Sequence, residues 1–104
     1  TYGLLDKEKK VLSRTDYFFY TKKINVKDIH TIYYRPTWII GGIARSLYVI
    51  GTVDGKEKVI EFPNVGWYEK VIVQIATDLK QLNSSIQLDE PTVALLKKHE
   101  SKKN

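Results

Sequence analysis

Leu47-Tyr48-Val49-Ile50-Gly51-Thr52-Val53-Asp54-Gly55-Lys56-Glu57-Lys58-Val59-Ile60-Glu61-Phe62 is the stretch that decides the fold. Two β-prone runs flank Asp54-Gly55. Asp-Gly between such runs signals a two-residue hairpin turn, because a type I′ turn needs positive φ at both central residues. A two-residue loop fixes the register. Val53 pairs with Lys56, Gly51 with Lys58, Val49 with Ile60, and Leu47 with Phe62. Leu47, Val49, Ile60 and Phe62 then share one face, predicted to be the core. Tyr48, Ile50, Glu57, Val59 and Glu61 share the other, more polar face.

Downstream, Pro63-Asn64-Val65-Gly66 breaks the strand. The spacing of Tyr68, Val71, Ile72, Ile75, Leu79 and Leu82 predicts an amphipathic helix over 67–83, ended by Asn83-Ser84-Ser85. One apolar stripe means that the helix lies on the sheet. In the tail, Asp89-Glu90-Pro91 precedes a short helix expected over Thr92–Lys98, with Glu100–Asn104 frayed.

Upstream, Arg35-Pro36-Thr37-Trp38-Ile39-Ile40-Gly41-Gly42-Ile43-Ala44-Arg45 reads as a strand end and a turn at Gly41-Gly42. Ile24–Tyr34 reads as one or two strands that Pro36 ends, since proline cannot donate to a ladder. Thr21-Lys22-Lys23 reads as a turn. Val11–Tyr20 is β-prone and closes with four aromatics, Tyr17-Phe18-Phe19-Tyr20. Asp6–Lys10 is a solvated charged stretch. Five or six strands thus precede the helix. The fold class expected is α+β: a strongly bent antiparallel sandwich or partly open barrel, capped by a helix. No linker splits the 104 residues, so one domain is expected, with its core over 11–83. The chain opens at Thr1 without Met, as an excised piece of a longer protein would.

This pattern resembles the bacterial pleckstrin-homology-like domains. The resemblance spans Val11–Leu82. It is carried by Asp16-Tyr17-Phe18-Phe19-Tyr20, by Lys27-Asp28-Ile29-His30-Thr31-Ile32 entering the next strand, and by the hairpin and helix over Leu47–Leu82. The resemblance implies a non-enzymatic domain that assembles or docks proteins, in many members beside a membrane-spanning segment. Relatives that bind phosphoinositides use a basic loop between their first two strands. Lys9, Lys10 and Arg14 lie in that region without reproducing its spacing.

Composition narrows the function classes. There is no cysteine, which excludes a disulfide framework, a thiol nucleophile and a thiolate metal site. The two histidines, His30 and His99, have none of the short ligand spacing that a zinc site uses. No serine stands in a nucleophile elbow, and Gly41-Gly42 lacks the rest of a phosphate loop. No catalytic residue, metal or cofactor is expected. No run of about 18–20 apolar residues is present to span a bilayer. The net charge of +5 suits an anionic partner, although it also suits plain solubility.

Two binding candidates follow. The first is a basic set, Lys9, Lys10, Arg14, Lys22, Lys23 and Lys27, with Lys7 beside it. Loops of a meander converging at one end would present it to anionic phospholipid. The ordinary alternative is a solvated surface, diluted by Asp6, Glu8, Asp16 and Asp28. The second is an apolar docking loop, Trp38, Ile39 and Ile40, flanked by Arg35 and Arg45. If exposed, it suits a protein partner before lipid. Otherwise Ile39 or Ile43 fills the core and Trp38 caps it. Aromatics beside basic residues would also suit single-stranded nucleic acid, but no RNA-recognition signature is present. The expectation is a protein-docking module in the cytoplasm or at the cytoplasmic face of a bacterial membrane, helped by basic residues. The rival is a self-associating scaffold with no lipid role.

Overall fold

The Asp54-Gly55 turn is where sequence and structure meet most directly. The structure, a computed structural model, describes residues 2–15, 21–39, 41–64 and 69–102. Asp54 and Gly55 have φ of 54° and 76°, the two positive values that a type I′ turn requires. The strands they join are β5 (Gly42–Val53) and β6 (Lys56–Asn64), paired in the expected register from Val53↔Lys56 to Leu47↔Phe62. Leu47, Val49, Ile60 and Phe62 are fully buried, and Tyr48, Ile50 and Glu61 are half-buried on the opposite face.

Ahead of this hairpin run β1 (Tyr2–Asp6), β2 (Val11–Thr15), β3 (Thr21–Asn25), a 3-10 turn (Val26–Asp28) and β4 (Ile29–Ile39). After it come α1 (Glu69–Leu82), β7 (Gln87–Leu88) and α2 (Glu90–Lys102). The fold is α+β, and among the described residues its two sheets do not close into a barrel. One has the order β1-β2-β3, and the other β6-β5-β4-β7 with β7 parallel to β4. Leu12 and Ile24 are cross-strand partners in the first sheet and both point into the core. Ile72, Ile75, Ala76 and Leu79 of α1 pack into the same core, with Val71 and Leu82 at its margin. From Val71 to Leu82 the helical stripe read from the sequence is thus the buried face, while Tyr68 lies outside the described residues. The helix's expected start at Trp67 lies outside them too.

Several expectations need correction. Thr21-Lys22-Lys23 is not a turn but the start of β3, because each of its residues finds a ladder partner in β2. Tyr2–Asp6 forms a strand that charge at its end concealed. Pro36 does not end β4. Ile32 C=O and Tyr34 N–H face away from β5, toward Asp89, and Pro36 stands two residues further on along that edge. β7 pairs only with Thr31 and Ile32, so Pro36 loses no ladder bond there. The tail helix is longer than expected at both ends. The Asp89 carboxylate accepts the Thr92 N–H at 3.0 Å and caps it. Asp16–Tyr20, the aromatic run, lies outside the described residues.

Candidate functional site

The basic set is divided by the fold. Asp6 Oδ1 accepts the N–H groups of Glu8 (3.1 Å) and Lys9 (3.0 Å), which shapes the β1–β2 turn. Lys10 closes that turn with φ 55°, and its carbonyl accepts the Val26 N–H at 2.8 Å. This bond docks the turn on the 3-10 turn that carries Lys27. Lys9, Lys10 and Lys27 thereby reach one cavity of about 490 Å³, shared with Asn25, Val26, Leu82 and Asn83. Among the described residues, no carboxylate lines it. Asn83 holds its floor: Nδ2 donates to the carbonyls of Val26 (3.0 Å) and Ile29 (3.2 Å).

The other basic residues are elsewhere. Arg14 is half-buried, and its Nη1 donates to the Glu61 carbonyl. Lys22 Nζ reaches the Val59 carbonyl at 3.4 Å, and Lys58 Nζ donates back to the Lys23 carbonyl at 3.2 Å. These side chains bridge the seam between the two sheets along the edge of β6. Arg14 and Lys22 therefore serve the fold. Lys23 lines a second cavity of about 410 Å³ with Lys9, Val11, Ser13, Asn25 and Val53, but Asp6 stands there too. Lys7 is paired with the buried Asp78 of α1 at 3.2 Å, and Gln74 Nε2 donates to the same carboxylate at 2.9 Å.

The apolar loop is the end of a β-ribbon. β6 stops at Asn64, opposite Arg45, and β7 reaches only Ile32. Among the described residues, Thr37–Ile39 and Gly42–Ala44 therefore pair only with each other, as Thr37↔Ala44, Trp38↔Ile43 and Ile39↔Gly42. Gly41 (φ 98°) makes the bend, and Ile40 lies outside the described residues. Ile43 is 63% exposed, the one exposed large hydrophobic among the described residues, so it does not fill the core. The Arg35 guanidinium stands 4.7 Å from the Tyr33 ring centre and its Nε 3.7 Å from Asp89. Arg45 stands 5.8 Å from the Tyr34 ring centre.

The two candidates are not brought together. β5 runs from the ribbon at Gly42 to Gly51, where a Cβ would lie 2.7 Å from the Asp28 carbonyl oxygen. Lys27 is thus at the far end of β5 from Ile43. Nine residues of strand separate the ends by roughly 30 Å.

One polar cluster was not legible in the sequence. His99 Nε2 and Glu69 Oε2 are 2.9 Å apart, joining α2 to α1. Asn64 Nδ2 donates to Glu69 Oε1 at 3.0 Å and to the Tyr34 hydroxyl at 2.6 Å. The hydrogen bond from His99, then that from Asn64, holds the Glu69 carboxyl below its ordinary range, against a smaller opposing effect of burial. Thirty residues separate this pair, and no spacing rule links them. The cluster ties four elements, β4, β6, α1 and α2, at the ribbon's base and stands beside neither cavity. His30 is exposed on β4, its Nδ1 2.8 Å from the Thr31 hydroxyl. Among the described residues no group of three or more potential ligands could hold a metal ion, and no helix is long and apolar enough to cross a membrane. No family model, no curated protein and no solved structure matches the chain.

Proposed function

We propose that the chain is a non-catalytic docking module of pleckstrin-homology-like architecture. It works at the cytoplasmic face of a bacterial membrane, where basic residues draw it to anionic phospholipid and a protein partner is engaged. The observation that carries this reading is the pair of separate contact ends. One gathers Lys9, Lys10 and Lys27 around a cavity whose lining, among the described residues, holds no carboxylate. The other projects a ribbon with an exposed isoleucine between two arginines. A module with two such ends can hold a surface and a partner at once. The succession of antiparallel strands followed by a core-packed amphipathic helix supports the architecture. Basic residues near an anionic bilayer contribute about 1 kcal/mol each, and both ends carry them.

The test is co-sedimentation with vesicles, neutral against anionic, at low and physiological salt. The expected result is binding to anionic vesicles that weakens as salt shortens the screening length to about 8 Å. Absence of binding to every vesicle would leave the self-associating scaffold as the reading to pursue.

A further inference from the structure

We propose that the β4–β5 ribbon, rather than the lysine end, enters the anionic bilayer, with its tip in the head-group and upper acyl region and Arg35 and Arg45 at the level of the phosphates. This rests on the membrane reading above and adds an orientation to it.

The charge pattern is the first argument. No Asp or Glu stands between Asp28 and Asp54, so the whole β4–β5 hairpin carries Arg35 and Arg45 and no acid of its own. Of the carboxylates beside it, Glu61 of β6 accepts the Ser46 hydroxyl at 2.6 Å, and Asp89 stands 3.7 Å from Arg35 Nε. Asp89 is already engaged by the N–H groups of Tyr34 and Thr92. The second argument is size. Among the described residues, Thr37–Ile39 and Gly42–Ala44 have no third strand on either side, and a bare two-stranded ribbon is marginal in water. It reaches three residues past Arg45, about 10 Å, which matches the ~5–10 Å that interfacial elements sink below the head groups. The third argument is composition. Trp38, Ile39 and Ile43 lie in the ribbon, and the half-buried Tyr33 and Tyr48 lie at its base. Tryptophan and tyrosine favour the membrane–water boundary.

A second copy of the chain is disfavoured by the same charges. An isologous contact between ribbons would bring Arg35 and Arg45 of both copies together with no acid in either hairpin. With the ribbon inserted along the bilayer normal, the roughly 30 Å along β5 holds the lysine end clear of the surface. Lys9, Lys10 and Lys27 are then turned away from the membrane, toward an acidic partner.

The test uses phosphatidylcholine–phosphatidylglycerol vesicles whose acyl chains carry bromine at defined depths. The chain has two tryptophans, so Trp67→Phe leaves Trp38 as the reporter. Because there is no cysteine, Ile43→Cys labelled with a polarity-sensitive dye gives an independent reading should Trp67→Phe not fold. Trp38 emission should shift to the blue and be quenched by the shallow bromines. The Lys9→Glu/Lys10→Glu/Lys27→Glu variant should still be quenched. Ile43→Glu, at an exposed position, should keep its urea midpoint and lose vesicle affinity about tenfold or more, the equivalent of one unburied isoleucine. Sedimentation with vesicles, but without quenching or dye response and with loss in the triple lysine variant, overturns this orientation and leaves the membrane reading standing. No sedimentation with any vesicle overturns both. A dimer in solution that Ile43→Glu dissociates also overturns the inference in favour of a second copy.

Discussion

Gly51→Ala is the substitution whose cost the structure defines most sharply. Gly51 lies in β5 opposite Ile29, where the 3-10 turn crosses the sheet. A methyl group there would sit 2.7 Å from the Asp28 carbonyl oxygen and 3.0 Å from Ile24 Cγ2. The backbone oxygen cannot retreat freely, because Val26 and Ile29 on either side of Asp28 are buried. Ile24 is equally confined, at 1% exposure. Forcing one carbon into such a site costs about 1–3 kcal/mol. Alanine recovers about 0.5–1 kcal/mol relative to glycine in a strand. The expected net loss is therefore about 1–2 kcal/mol, with the melting temperature falling by roughly 4–8 °C per kcal/mol in a domain this small. Urea unfolding followed by circular dichroism measures it, with an unchanged m-value as the sign that the unfolded state is unaltered. Gly55→Ala is the control. Its Cβ would meet nothing within 4 Å, so only its φ of 76° opposes it. That conformation alone costs a residue with a Cβ about 1–2 kcal/mol. A Gly51→Ala protein as stable as the parent, or more so, would refute the close approach of the 3-10 turn and with it the placement of Lys27.

Other substitutions probe the rest of the scaffold. Phe62→Ala removes the largest fully buried side chain and should cost about 3–5 kcal/mol in the same unfolding assay. Asn83→Ala strips the donors from the carbonyls of Val26 and Ile29 and should cost about 1–3 kcal/mol. In the amide spectrum its changes should centre on Val26–Ile29. Glu69 has a folded pKa held below its ordinary 4.5, chiefly by His99. Its contribution is present above that ordinary value and is lost as pH falls through the lowered folded one. Denaturation midpoints measured from about pH 5 down to pH 3 should fall more steeply for the parent than for Glu69→Gln. Parallel acid limbs would remove the His99–Glu69 contact from the account.

What the sequence made legible was local. Asp54-Gly55 carries its own conformational demand, and a two-residue loop leaves only one register, so the core faces of β5 and β6 followed directly. The stripe on α1 followed from periodicity in the same way. The misreadings arose where a neighbour distant in sequence decides. Lys22 and Lys23 carry the charge of a turn, yet β2 pairs them, and Lys22 reaches across to β6. Pro36 is a breaker only if its missing N–H would have faced a partner strand, which no local rule reveals. For the binding candidates, the sequence supplied the residues but not their grouping. Lys9, Lys10 and Lys27 come together because the Lys10 carbonyl accepts the Val26 N–H. Arg14 leaves the set because a sheet edge lies within its reach. The separation of the two ends along β5 is a property of topology alone.

The central claim is that this chain docks on an anionic membrane surface through one defined end. Amide spectra of the labelled protein should be recorded with phosphatidylglycerol-containing nanodiscs at physiological salt. The account predicts broadening confined to one end of the molecule, centred on residues 36–45, with α1 and the Asp54-Gly55 turn unaffected. Spectra unchanged by the nanodiscs, or broadening spread evenly over the basic surface, would contradict it.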